Sequence, residues 1–309
     1  MLDPHSLYEL AEDLPDLGRP VLVHTLTGFV DAGHASRITR EHLVPAGQGT
    51  PIARFDLDQL LDYRTRRPTM LFQQDHWEHY DEPALLLISH TDATGAPFLV
   101  LTGPEPDLQW ERFVAAVAGL IERFDVRLTV GLNAIPMAVP HTRPIGLTAH
   151  ATRVPLISGY DPWPQRVQVP GSVGNLLEYR LGQLGRDALG FAVHVPHYLA
   201  QSEFPAAAER LFGAITASTG LLLPSDNLRA AAEMVSAEIN RQVAQAEEAA
   251  ALVSALEQQY DAQERERGAA GHGAGHGGPL PTADELGAEL ERYLAQQPKP
   301  GDPPASPGV

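Results

Sequence analysis

Short apolar runs alternate with amphipathic segments along the first 222 residues of the chain. Proline, glycine or a charged residue bounds most of the apolar runs, which is typical of buried β-strands. The predicted strands are Val21–Leu26, Ile52–Phe55, Ala84–Ser89, Pro97–Thr102, Val126–Ile135, Ile145–Ala151 and Leu189–Val195.

Amphipathic segments with the spacing of an α-helix lie between these strands. Asp31 and Ser172 are predicted N-caps, and Pro205 suits the first turn of a helix. The predicted helices are Asp31–Leu43, Asp107–Phe124, Ser172–Gly185 and Pro205–Thr219. Alternating strands and helices predict an α/β fold, a three-layer α/β/α sandwich. The strands on either side of the Asp92–Gly95 turn form a predicted hairpin, which makes the sheet mixed.

The composition changes at Ser225. From there to about Arg267 the chain is rich in Ala, Glu, Gln and Arg and has no Pro, and apolar residues such as Ile239 and Val243 recur every three or four positions. This stripe predicts a long helix or a helical hairpin over 223–267, packed on the body or at a subunit interface. We therefore divide the chain into the body (1–222), this helical segment, a Gly-rich flexible linker (268–283), a short helix (284–297) and a disordered tail (298–309).

The charge and composition exclude several classes of function. The net charge is −17, which argues against nucleic acid and anionic membranes as partners. The absence of cysteine excludes disulfides, thiolate metal sites and cysteine nucleophiles. No apolar run approaches the ~18 residues of a membrane helix, and the first residues do not form a signal peptide. We expect a soluble cytoplasmic protein.

Lys299 is the only lysine. The chain therefore has no P-loop lysine and no buried lysine for a Schiff base, and an ATP-grasp ligase is not expected. Any anion site would have to use arginine, histidine or backbone N–H groups.

Two similar turns, Val139-Pro140-His141-Thr142 and Val195-Pro196-His197-Tyr198, end or follow predicted strands. Proline cannot donate to the sheet and stops the strand. Open α/β sheets bind ligands and partners at strand ends, so the two turns predict a shared rim with His141 and His197 close together. Either histidine could act as an acid or base, but hydrogen bonding that ties loops to the rim is favoured.

Further polar residues belong to the candidate rim or an interface. Asp31 lies in the Gly28–Gly33 turn, where a tight turn with an N-cap is favoured over an anion site. Arg64 and Arg67 belong to a cluster of three arginines that either grips an anion or pairs with acids such as Glu105. The full set of rim or interface candidates is Asp31, Arg64, Arg67, Glu105, His141, Arg143, His197 and Tyr198.

No metal or cofactor is expected. His76 and His79 have a spacing that could hold zinc on a helix, but the full motif and a third ligand are missing. Ser172 lacks the Gly-x-Ser-x-Gly setting of a nucleophile, and the N-cap role explains it. No catalytic residue is assigned.

Five segments read together resemble the proteasome assembly chaperone two family, in its branch from high-GC Gram-positive bacteria. They are Gly28–Gly33, Asp62–Pro68, Gly103–Asp107, Val139–Pro144 and Val195–Gln201, and the resemblance spans about residues 5 to 262. It implies a nucleoside-phosphorylase-like fold, homo-oligomers such as trimers, and a link to proteasome subunits and their assembly. The chain ends Ser306-Pro307-Gly308-Val309, without the terminal hydrophobic–Tyr–any tripeptide of chaperones that dock on proteasome α-rings, so docking by that route is not expected.

We therefore expect a cytoplasmic, non-enzymatic protein of the assembly-chaperone type. The alternative is a small-molecule binder or phosphorylase-like enzyme, with an anionic ligand between Arg64, Arg67, His141, Arg143 and His197. A purely structural oligomer is a third hypothesis.

Overall fold

The computed structural model describes residues 2–163 and 166–270. One compact unit comprises Met1–Trp163 and Gly171–Tyr260. Of the second unit, the structure describes 166–170 and 261–270, the latter being the end of a helix.

A mixed sheet of eight strands forms the centre of the first unit. Its strands are β1 (Tyr8–Leu10), β2 (Val21–Thr27), β3 (Thr50–Phe55), β6 (Leu86–Thr91), β7 (Pro97–Pro104), β8 (Leu128–Met137), β9 (Leu147–Ala151) and β10 (Ala188–Pro196). The order across the sheet is β1-β3-β6-β7-β2-β8-β10-β9. A separate hairpin contains β4 (Met70–Gln73) and β5 (His76–Tyr80).

The four strands β7, β2, β8 and β10 run parallel, and the pairs outside them are antiparallel. Strands that are covered on both faces have nearly continuous apolar sequences. In β7, Leu99 and Leu101 join one core cluster, whereas Phe98 and Val100 are equally buried but lie outside that cluster. Alternate residues of a strand point to opposite faces of the sheet, so both faces of β7 are buried. Helices therefore cover both faces of the sheet.

The helices are α1 (Ala35–Leu43), α2 (Trp110–Arg123), α3 (Val173–Gln183), α4 (Pro205–Thr219), α5 (Asp226–Gln245) and α6 (Glu247–Ala270). Helices α2 and α3 contact each other and share the Leu99 cluster. Helices α1 and α4 contact each other and β8, and α5 packs on α4. These observations confirm the predicted α/β class, with a mixed sheet and flanking helices.

Two helices begin later than the sequence predicts, because a residue with positive φ precedes each of them. Gly33 (φ 64°) and His34 (φ 51°) separate Asp31 from α1. Gln109 (φ 57°) separates Asp107 from α2. Asp31 is the N-cap residue of the short 3-10 helix Ala32–His34, whereas His34 holds that position in α1. The Asp31 carboxylate nevertheless caps α1, as described below.

The segment after Ser225 contains two helices, because Ala246 adopts an extended conformation between α5 and α6. Leu228 and Ala232 of α5 are buried, as are Val253 and Leu256 of α6. Helix α6 continues to Ala270 and so extends three residues into the predicted linker. The rest of that linker, the predicted short helix and the predicted tail lie outside the described residues. Among the helices in the described ranges, none is long and apolar enough to cross a bilayer.

Candidate functional site

The carboxyl ends of the four parallel strands lie along one edge of the sheet, and a loop follows each of them. Glu105 follows β7, Asp31 follows β2, His141 follows β8 and His197 follows β10. We call this edge, with the four loops, the rim. It collects side chains that lie far apart in the sequence.

Tyr198 joins the two Pro-His turns. Its hydroxyl oxygen accepts the backbone N–H of His141 at 2.9 Å and lies 2.6 Å from Nδ1 of the same residue. The rings of His141 and His197 both meet Tyr198 edge-on, with centroids 5.9 and 5.5 Å away. The structure thus brings both histidines to one aromatic ring. Burial raises the pKa of the Tyr198 phenol.

The loop after β8 also contacts the two C-terminal helices. His141 Nε2 lies 3.1 Å from the amide oxygen of Asn240 in α5. Glu257 of α6 accepts from the Thr142 hydroxyl at 2.5 Å and from Arg143 Nη1 at 3.1 Å. His141 and Arg143 are therefore engaged in holding α5 and α6 to the rim.

Asp31 stabilises the start of α1. Its two carboxylate oxygens accept the backbone N–H groups of Ser36 (2.8 Å) and Arg37 (3.1 Å). These bonds satisfy donors that the first helical turn leaves without partners. An anion at this helix end would have to compete with the carboxylate, so the capping interpretation of Asp31 agrees with the geometry.

Arg64 and Arg67 were the predicted rim residues of the arginine cluster, but Arg66 is the arginine that contacts the rim. Arg66 Nη1 donates to the carbonyl oxygen of Glu105 at 2.9 Å, and Nη2 pairs with Asp107 at 2.8 Å. The side chain of Arg64 is 84% exposed and pairs with Asp62 of its own loop, and Arg67 is exposed. Both lie in the loop before β4, and Arg64 contacts Asp62 and not the histidines.

Gly28 supports the same contact by leaving space for it. A Cβ atom on Gly28 would lie 2.5 Å from Arg66 Nη1, and the residue has φ 123°, which favours glycine. The arginine cluster therefore has a structural partner within the chain, through the one arginine that sequence reasoning left out of the site. No sequence signal distinguishes three nearly consecutive arginines.

Glu105 is only 6% exposed and fastens α3 to the rim. Its carboxylate accepts the backbone N–H of Val173, the first residue of α3, at 2.5 Å. Burial raises the pKa of this carboxyl group, while the Val173 N–H and the Arg66 guanidinium act in the opposite direction. Ser172 caps the same helix by accepting from the N–H of Asn175 at 3.2 Å.

The hairpin formed by β4 and β5 was not predicted. All of its strand residues are exposed, and Trp77 has 62% of its surface accessible. Phe72 and Trp77 face each other across the two strands with ring centroids 5.1 Å apart. Two aromatic-rich runs on either side of Gln74-Asp75 were the signal for this hairpin.

The hairpin also corrects the zinc interpretation of His76 and His79. Both lie in the strand β5, not on a helix, so the spacing that would align them on one helix face does not apply. Within 2–163 and 166–270, no three side chains of metal-binding type are grouped as a metal site.

Comparison with known proteins places this geometry in a family. No curated protein matches the chain. A Mycobacterium tuberculosis protein of unknown function, Rv2714, has a similar structure with 50% identity and a TM-score of 0.81, covering 85% of this chain and 92% of its own. A Corynebacterium glutamicum protein of unknown function is similar at 40% identity and a TM-score of 0.80, over 84% of this chain and 98% of its own.

A third similar structure is a proteasome-assembly chaperone homologue of M. tuberculosis, Rv2125. It has 25% identity and a TM-score of 0.69, and the match covers 75% of this chain and 99% of that one. The family model described as the PAC2 family matches residues 25–243, which include the whole rim. The chain therefore belongs to the PAC2 family.

Proposed function

We propose that this chain is a non-enzymatic assembly factor that acts in the cytoplasm by binding protein subunits, with proteasome subunits as its clients. Membership of the PAC2 family supports the proposal, as does the likeness to a structure named as a proteasome-assembly chaperone homologue.

One contrast in the structure is the main support for this proposal. At the rim, His141, Arg143 and Arg66 bond to residues of the same chain, whereas the large apolar side chains of the β4–β5 hairpin are exposed. A catalytic acid or base must be able to reach its substrate, and a protein-binding surface needs accessible apolar area. The arrangement favours protein binding over chemistry at the rim.

The test is assembly of proteasome particles from separately purified α and β subunits of the organism that encodes the chain. We expect the chain to form a complex with unassembled subunits and to change the rate at which full particles appear. Chromatography and native mass spectrometry would follow both quantities. Absence of any complex, together with an unchanged rate, would contradict the proposal.

We further propose that the chain forms a homo-oligomer through the β4–β5 hairpin, and a trimer is the first arrangement to test. An isolated two-stranded hairpin is marginally stable in water, and this one exposes Met70, Leu71, Phe72, Trp77 and Tyr80. A second copy of the chain would cover that surface.

The variant Trp77→Ser tests the oligomer, because it removes the most exposed aromatic side chain of the hairpin without touching the core. We expect sedimentation equilibrium to report a smaller mass for Trp77→Ser than for the wild type at equal concentration. Met234→Ser is the matched control, because Met234 is 74% exposed on α5 and lies outside the hairpin. Equal masses for all three proteins would count against the hairpin interface.

A further inference from the structure

Two histidines and two glycines form one row across four strands of the sheet. His24 of β2 is in register with Gly131 of β8, Gly131 with Gly190 of β10, and Gly190 with His150 of β9. Residues that are in register point to the same face of a sheet. The two imidazoles therefore flank a pair of glycines on the face that α3 covers.

The glycines provide the space that the imidazoles occupy. A Cβ atom on Gly131 would lie 2.8 Å from Cε1 and Nε2 of His24, and one on Gly190 would lie closer still to the ring of His150. On the α3 side, a Cβ on Gly174 would lie 3.1 Å from His24 Cε1. The His24 ring is thus enclosed between the backbones of Gly131 in β8 and Gly174 in α3.

His24 is 6% exposed, and its ring forms no hydrogen bond within the part of the chain that the structure describes. The titratable groups that face it are Glu178 of α3 and His150 of β9, which are joined to each other at 2.9 Å. The other neighbours that pack on it, Gly131 and Leu101, carry no charge. Burial lowers the pKa of His24 to about 4. Glu178 opposes this shift, and His150 adds to it by a smaller amount.

The same helix α3 is attached to the rim at its first residue, Val173, which is next to Gly174 and donates its N–H to Glu105. Helix α3 therefore connects the His24 row to the rim. We propose that the row is an acid-sensitive latch: when His24 takes up a proton, α3 separates from the sheet and loosens the Glu105 contact at the rim. An imidazolium cannot remain buried without hydrogen-bond partners, and separation of α3 would let water hydrate it.

The size of the effect follows from linkage. In the separated state the imidazole is hydrated, and the pKa of His24 returns to its ordinary value of 6.5. In the closed state the pKa of His24 is about 4. The stability of the closed state relative to the separated state is therefore unaffected above about pH 6.5, and it decreases as the pH falls towards about 4. At about pH 4.5 the population of the separated state should be roughly 50- to 100-fold larger than at about pH 7.5.

Hydrogen exchange measured by mass spectrometry tests the latch at a series of pH values from about 7.5 to about 4.5, corrected for intrinsic exchange. In the wild type we expect the protection of α3 to fall by this factor while α4, on the other face of the sheet, keeps its protection. His24→Gln cannot titrate and should show no transition in α3. His5→Gln, which alters an exposed histidine, should behave as the wild type.

A second variant keeps the proposal testable if His24→Gln does not fold. Glu178→Gln removes the carboxylate that favours a proton on His24 in the closed state, so the pKa of His24 there should fall further. Relative to its own value at about pH 7.5, α3 of this variant should therefore lose more protection by about pH 4.5 than α3 of the wild type. The proposal is overturned if wild-type α3 shows no transition, if His24→Gln or Glu178→Gln leaves the transition unchanged, or if α3 and α4 lose protection together, which would indicate global acid unfolding.

Discussion

At the scale of single residues, the hydroxyl of Tyr198 has two partners on one neighbour. It accepts the N–H of His141 and can donate to Nδ1 of the same residue, which leaves Nε2 to donate to Asn240. Loss of the hydroxyl would leave a backbone N–H and a ring nitrogen without partners.

We therefore predict that Tyr198→Phe lowers the free energy of unfolding by about 1–3 kcal/mol, the cost of unsatisfied polar groups in a half-buried site. Tyr179→Phe is the matched control, because Tyr179 is 61% exposed, and its effect should be near zero. Urea unfolding of both variants provides the measurement. Equal stability of the two variants would mean that the Tyr198 bonds contribute nothing.

Asp92 holds a turn with one carboxylate. It accepts from the N–H groups of Thr94 and Ala96, from the Thr94 hydroxyl, and from the N–H of Leu222, all within 2.9 Å. The bond from Leu222 and the others lower the pKa of Asp92 from 3.8 to about 2. The stabilising contribution is therefore fully present above about pH 4 and is lost as the pH falls towards about 2.

We predict that Asp92→Asn lowers the stability near neutral pH by about 2 kcal/mol, because an amide cannot accept all of these bonds. The difference between wild type and variant should shrink as the pH falls through this window. Thermal unfolding at several pH values would measure it, and a difference that stays constant would contradict the assigned role.

Sequence reasoning was most limited at this scale. It selected His141, Arg143, His197 and Tyr198 because proline marks strand ends, and the structure places these residues at one edge of the sheet. It did not select Arg66, since the direction of a side chain in the loop depends on contacts with Gly28 and Asp107 that are distant in sequence.

At the scale of elements, Glu257 and Tyr260 join α6 to the loop after β8, and the Tyr260 hydroxyl donates to the carbonyl oxygen of Pro144 at 3.4 Å. Glu257 contacts Thr142 and Arg143, while the first turn of α6, with Glu248, is exposed. The buried residues Val253 and Leu256 supply the apolar part of the attachment.

We predict that Glu257→Ala increases hydrogen exchange in α6 several-fold, because the loss of bonds to a charged group favours local opening. The protection of α2 should stay the same, and Glu248→Ala should leave α6 unchanged. An unaltered α6 in Glu257→Ala would show that the Glu257 bonds do not hold the helix.

Apolar runs were sufficient to predict the central strands, since buried parallel strands leave a direct signal in the sequence. The starts of α1 and α2 were missed because residues with positive φ at Gly33 and Gln109 delay the helices. The β4–β5 hairpin was missed because its apolar residues face outward instead of into a core.

At the scale of the whole molecule, a net charge of −17 is combined with an exposed apolar hairpin. The charge disfavours binding to polyanions and keeps separate molecules apart at low salt. An apolar contact between subunits would be strengthened as salt screens that repulsion. If the chain associates through this hairpin as proposed, its self-association should become tighter from low to moderate salt, and sedimentation equilibrium measures this. Weaker association at higher salt would contradict the prediction and would indicate an interface of ion pairs.

The proposed function requires that this chain bind protein subunits. Sedimentation velocity of the fluorescently labelled chain, titrated with purified proteasome α subunits and separately with inorganic phosphate, tests that claim most directly. We predict a faster boundary with the α subunits and no response to phosphate in a parallel calorimetric titration. An unchanged boundary with α and β subunits alike, together with saturable phosphate binding that Arg143→Ala and His197→Ala abolish, would contradict the proposed function and support the anionic-ligand alternative.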